Sequence, residues 1–98
     1  MKHTDLDFKF KANDVRCWYQ HRELLLNFND VQEMLFQRNQ GKVGLSLMRF
    51  VPKKHEDYVS VNAFHVMCRH VRDDNFFRDI ILAVIDALEE SIVMEVAK

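Results

Sequence analysis

Glycine and proline are scarce in this chain, with two glycines and one proline among 98 residues. The glycines, Gly41 and Gly44, match no glycine-rich phosphate loop, which excludes that route to nucleotide binding. Two cysteines, Cys17 and Cys68, are too few for a disulfide framework. They suit a reducing cytoplasm, where each is expected to be a small buried hydrophobe. Long apolar runs are missing too. The longest in the C-terminal half covers residues 80–85, far short of the roughly 20 residues that span a bilayer. The polar start, Met1-Lys2-His3-Thr4-Asp5, has no apolar stretch behind its basic residue, so no secretory signal is expected. Nor is there an excess of one charge: 14 Lys and Arg face 15 Asp and Glu, net -1. Wholesale electrostatic capture by nucleic acid or an anionic membrane is therefore not expected, and any polyanion site must be local.

What is present is apolar: 48% of the residues are hydrophobic and 11% aromatic, a composition that excludes disorder. A chain of this length buries roughly 60 to 70% of its unfolded surface, enough for a single core, so residues 1–98 are expected to form one compact domain. Phe8 and Phe10 alternate with Lys9 and Lys11, a period-two strand, and Asn13-Asp14 supplies turn chemistry. Residues 15–20 and 23–28 are rich in branched and aromatic side chains and meet at His21-Arg22, which predicts a hairpin with no glycine at its tip. Asn29 or Asp30 then opens a helix: Asp30 is the expected cap, Glu33 stands three residues on, and Val31, Met34 and Leu35 share a face. Gly41 ends it at the latest.

Residues 43–51 alternate as a strand, and residues 52–57 form a polar turn. Tyr58, Val59 and Val61 resume an extended path. Ser60 or Asn62 caps a short helix carrying Phe64, Met67, Cys68 and Val71 at helical spacing. Asp73 and Asp74 break that helix and cap the last one, residues 75–96, in which Phe77, Ile81, Val84, Leu88 and Ile92 recur every three or four residues. The predicted class is α+β: a small antiparallel sheet of hairpins, two short helices and a long amphipathic C-terminal helix.

The chain offers no catalytic constellation, and neither an enzyme nor a cofactor is expected. Of five histidines, His65 shares a helical face with Cys68, but His70 points elsewhere and no second ligand pair closes a tetrahedral site, so no metal is expected. Cys17 has no nucleophile elbow around it. Asp73-Asp74 and Glu89-Glu90 are adjacent only in sequence; on a helix, neighbours point about 100° apart, so a cap and a solvated face account for them better than an acid–base pair.

Charge distribution says more than net charge. Residues 1–72 carry 12 basic and 8 acidic side chains, net +4, while residues 73–98 carry 2 and 7, net -5. Between Met34 and His55 stand five cations, Arg38, Lys42, Arg49, Lys53 and Lys54, and no acid. Such a window suits tracking phosphates, although it also describes an ordinary solvated loop. The last helix is apolar nearly all round over residues 80–85, more than the stripe a small monomer needs. Self-association through Ile81, Val84, Ile85, Leu88 and Ile92 is the expectation; a helix sandwiched inside the chain's own core is the alternative.

In order, residues 15–28 followed by Asn29-Asp30-Val31, then Tyr58-Val59-Ser60-Val61-Asn62-Ala63-Phe64, then Phe76-Phe77-Arg78-Asp79-Ile80-Ile81 with Val84 and Ile85, resemble the Bro-N domain of viral Bro proteins and phage antirepressors. The resemblance covers about 80 residues through loose motifs. It implies a small α+β domain that binds DNA or a repressor protein, often as one module of a longer protein. Three departures qualify it. No C-terminal effector domain is expected here; the closing helix is acidic, with Asp86, Glu89, Glu90 and Glu95 opposed to phosphates; and Gly41-Lys42-Val43-Gly44 is not the expected helical continuation. What carries over as phosphate contacts is Arg49, Lys53 and Lys54, with Arg38 and Lys42 as additions, and Arg49 has the planar fork that suits guanine.

Two functions follow from different classes. One is a phage or mobile-element transcription regulator that binds DNA or a repressor. The other is a dimeric interaction module, such as an inhibitor of a host protein, with no nucleic-acid role and with Trp18 and Tyr19 on display.

Overall fold

The computed structural model describes residues 7–39 and 51–97, with side chains to residue 90. Four strands, β1 (Asp7–Ala12), β2 (Val15–Gln20), β3 (Glu23–Asn27) and β4 (Tyr58–Ser60), form one antiparallel sheet in the order β1-β2-β3-β4. Helix α1 (Phe28–Arg38) lies between β3 and β4 in the chain, and α2 (Val61–His70) and α3 (Asp74–Ala97) follow. This is the α+β class expected, with antiparallel hairpins, two short helices and a long last one. The expected strand over residues 43–51 lies outside the described residues except for Val51, which packs half-buried against the core.

Both hairpins close through two residues at positive φ, Asn13 and Asp14 (48° and 71°) and His21 and Arg22 (49° and 63°). That geometry matches the right-handed strand twist, which is why a tip without glycine still turns. Arg72 (φ 57°) does the same at the end of α2, where its N–H reaches the Arg69 carbonyl and the Asp73 N–H reaches Cys68 O at 2.9 Å. This paired closure usually carries glycine at the left-handed position. Arg22→Gly and Arg72→Gly are each expected to stabilise the fold by about 0.5–1 kcal/mol, since a left-handed non-glycine residue costs more than glycine's extra chain entropy. Urea midpoints that fall in both variants would contradict this.

The cap of α1 differs from the expectation. Asn27, not Asp30, is the N-cap, and its side chain accepts the Asp30 N–H at 3.0 Å. The physical reason is that β3 runs into α1 with no intervening loop, so the first free N–H groups fall around the buried Asn27. Asp30, one turn in, instead accepts Arg16 Nε at 2.8 Å, Nη2 at 3.0 Å and the Arg16 backbone N–H at 2.9 Å, which ties α1 to β2. The Arg16 hydrogen bonds hold the Asp30 carboxyl below the usual carboxylate range. Of the two expected caps of α2, Ser60 and Asn62, it is Ser60 that serves, accepting the Ala63 N–H at 3.2 Å, while Asn62 lies inside the helix.

The core lies between one sheet face and the helices. Alternation along the strands turns Ala12, Val15, Cys17, Leu26 and Val59 toward Phe28, Val31 and Leu35 of α1, Phe64, Met67 and Cys68 of α2, and Phe76, Ile80 and Val84 of α3. Phe64 is fully enclosed, with Phe76 edge-on at 5.8 Å and Phe77 at 5.3 Å. The deepest stripe of α3 is thus Phe76, Ile80 and Val84, with Phe77, Ile81 and Leu88 half-buried beside it. Relative to the expected stripe it is rotated, because α3 packs on both the sheet and α2. Among the described residues no helix is long and apolar enough to cross a membrane.

Candidate nucleic-acid interface

The five cations of the basic window have different fates. Lys42 and Arg49 lie outside the described residues. Arg38, at the end of α1, spends its guanidinium on Asp73, with Nε at 2.8 Å and Nη2 at 3.0 Å, and sits 5.0 Å over the Phe76 ring. Asp73 also accepts the Phe76 N–H at 3.2 Å and Asn39 Nδ2 at 3.3 Å. The Arg38 hydrogen bonds hold the Asp73 carboxyl below its ordinary range, and Arg38 is held above its own. Arg38 therefore joins α1 to the start of α3, and a phosphate would have to displace a bidentate partner.

Lys53 and Lys54 are placed differently. Segment 51–57 is fastened by backbone hydrogen bonds from Lys54 N–H to Tyr58 O (2.8 Å), Tyr58 N–H to His55 O (2.9 Å) and Phe28 N–H to Asp57 O (2.7 Å). Its His55 and Lys54 reach the sheet face turned away from the helices, while Val51 packs half-buried against the helix-side core and Lys53 lies at the edge over Phe28. Lys54 Nζ meets Glu23 at 2.6 Å, and Lys53 Nζ is 3.6 Å from Asp57 and 5.1 Å over the Phe28 ring. Both lysines are about half exposed, at 44% and 54% of their side chains. Ion pairs this open are worth about 0–1 kcal/mol, so exchanging the carboxylate for a phosphate costs little.

The same face carries residues that the charge window did not reveal. Trp18 stands at its centre: His55 packs on it at 4.9 Å, Tyr58 meets it edge-on at 5.5 Å, Lys9 Nζ lies 4.4 Å above its ring, and its Nε1–H donates to Asp7 at 2.7 Å. Lys11, next but one to Lys9 on β1, is exposed on that side and registers with Arg16. Lys9 and Lys11 were visible in the sequence only as the polar half of a strand alternation. Acidic side chains interleave with these cations, chiefly Asp7, Glu23 and Asp30. The surface is therefore a mixed field with an aromatic centre and not a uniform basic stripe.

Comparison with protein-family models, curated proteins and solved structures yields no match for this chain. The site rests on its own geometry.

The expected association residues are divided by the fold. Val84 is 2% exposed and belongs to this chain's own core, which corrects its assignment to an external surface. Ile81 and Leu88 are half-buried against that core, Ile85 is exposed, and the side chain of Ile92 lies outside those described. Leu82, absent from the expected set, is among the most exposed large apolar side chains described, with Val66 of α2. Between α2 and α3 runs an open groove of about 450 Å³, floored by Phe77 and Ile81 and edged by Arg69, Arg78 and Leu82; His65 stacks on Phe77 at 4.2 Å.

Among the described residues no three His, Cys, Asp or Glu side chains converge on a metal position. Burial pushes the thiols of Cys17 and Cys68 up to about 12, so both stay protonated at neutral pH.

Proposed function

We propose that this chain is a nucleic-acid-binding regulatory module of the kind the Bro-N resemblance implies, holding phosphates with Lys53 and Lys54 together with Lys9 and Lys11. Trp18 supplies the flat apolar surface between them. One observation carries the reading: segment 51–57 and strand β1, distant in sequence, meet on one sheet face around Trp18, with His55 at 4.9 Å and Lys9 at 4.4 Å. Lysines position a phosphate backbone without reading sequence, while an aromatic ring among cations stacks on exposed bases. The acidic residues of this face limit the affinity, and the lysine–phosphate contacts make it dependent on salt through counterion release.

Trp18 is the chain's single tryptophan, so its fluorescence reports on the site directly. Titration with a short duplex and with a single strand is expected to change that fluorescence at about 50 mM salt and to lose most of the effect at about 200 mM, with a log–log slope of about -3 to -4 for four phosphate contacts. Lys53→Glu combined with Lys54→Glu is expected to weaken binding more than about tenfold and to reduce the slope by about 2, with an unchanged fold. Unaltered affinity in that variant, or no fluorescence change at low salt in the wild type, would overturn the reading.

A further inference from the structure

On α3, Arg78, Leu82, Ile85 and Glu89 follow one another at steps of four, three and four residues, and all four are exposed. At 100° per residue they form a narrow ridge along one side of the helix, opposite the buried Phe76, Ile80 and Val84. Its centre is apolar, with Ile85 45% and Leu82 55% exposed, while one end is cationic and the other anionic. Among the described residues neither Arg78 nor Glu89 has an ion-pair partner. Asp79, Asp86 and Glu90 lie roughly 70° or more round the helix from the ridge midline and stand outside it, while Asp74, exposed one turn before Arg78, flanks the cationic end at roughly 50° without forming an ion pair with it among the described residues.

Reversed, the ridge reads as its own complement. When two copies of α3 run antiparallel about a two-fold axis between residues 83 and 84, Leu82 faces Ile85 of the second copy, and Arg78 faces its Glu89. Symmetry repeats each contact, so four apolar side chains meet at the centre and an ion pair closes each end. A parallel pairing would instead set Arg78 against Arg78 and Glu89 against Glu89, which is repulsive. Charge thus chooses the direction while the apolar pair supplies the attraction. The four-three spacing is that of a coiled-coil seam and continues in sequence at Ile92 and Val96.

We propose that this ridge is the contact surface for a second copy of the chain, joined antiparallel through Arg78, Leu82, Ile85 and Glu89. The proposal does not depend on the nucleic-acid reading, because the ridge lies on α3 and the Trp18 surface lies on the sheet face turned away from the helices. An interface built on so few residues is smaller than the roughly 800 Å² per partner of a standard complex, and its dissociation constant is expected in the micromolar range.

The test is sedimentation equilibrium of the full chain over about 5 to 500 µM, a span that brackets micromolar dissociation constants. The wild type should pass from monomer to dimer and go no further. Arg78→Glu and Glu89→Arg, each made singly, should weaken association at least tenfold with unchanged circular dichroism, and the two together should restore it. Leu82→Ser should weaken it without altering either charge. A wild type that stays monomeric throughout overturns the proposal. So does a dimer indifferent to the single changes, or a double variant as weak as its parents.

Discussion

Val84→Glu is expected to abolish the cooperative unfolding transition, whereas Ile85→Glu, one residue further on, should leave the stability of the dilute protein within about 0.5 kcal/mol of wild type. Val84 is 2% exposed and lies in a continuous cluster with Ile80, Phe76 and Phe64, so a carboxylate there has neither water nor a partner. Burying an unpaired charge costs several kcal/mol, and small domains have only about 5–15 kcal/mol in all. Ile85 is 45% exposed, and a carboxylate at that position remains solvated. Urea denaturation followed by circular dichroism at low micromolar concentration separates the two. A Val84→Glu protein with a near-wild-type midpoint would mean that α3 does not pack through this face.

Asp73→Ala is expected to cost about 2–3 kcal/mol, the next largest effect. One carboxylate caps α3 at the Phe76 N–H, accepts both nitrogens of the Arg38 fork and takes a third donor from Asn39. Loss of a helix cap alone costs about 1 kcal/mol, and charge-assisted hydrogen bonds to a carboxylate add a similar or larger amount. The effect should also depend on pH in a defined direction. Asp73 has a folded-state pKa below its ordinary value, so its stabilisation is complete above the unfolded pKa of about 3.9 and is lost as pH falls through the folded one. The gap between wild type and variant should therefore be full at pH 7 and should close progressively below about pH 4. A gap constant down to strongly acidic pH would show that Asp73 acts through packing and not through its charge.

Much of the fold was legible because it follows from local chemistry. The alternation of Phe8 and Phe10 with Lys9 and Lys11, the turn at Asn13-Asp14, the Ser60 cap and the break at Asp73 all act within a few residues, and all four stand in the structure. Where the reading went astray, a distant partner had taken over. Asp30 reads as a cap because it precedes an apolar face, but Arg16, fourteen residues upstream, claims it, and Asn27 caps instead. The rotation of the buried stripe on α3 has the same origin. Residues 80–85 are apolar in almost every direction, so helical periodicity cannot tell which of them turns inward.

The candidate surface was half legible. Lys53 and Lys54 were evident as cations in a polar turn and Arg38 as a cation of the same basic window, yet nothing local distinguishes a half-exposed lysine beside Glu23 from an arginine locked onto Asp73. Trp18 was legible as a residue on display, but its grouping with Lys9 and His55 carried no signal, because it depends on how segment 51–57 lies over the sheet.

By itself, then, the sequence determined the class of fold, the order of the described elements, the polarity of charge between its two parts and the apolar excess of its last helix. These depend on spacing and composition, which act at short range. Only the tertiary structure decided which cations are committed to ion pairs, that Val84 is core while Leu82 and Ile85 are surface, and that Lys9, Trp18 and His55 share one face. Those outcomes depend on contacts between residues tens of positions apart, and such contacts exist only once the helices have packed on one side of the sheet and His55 and Lys54 have settled on the other.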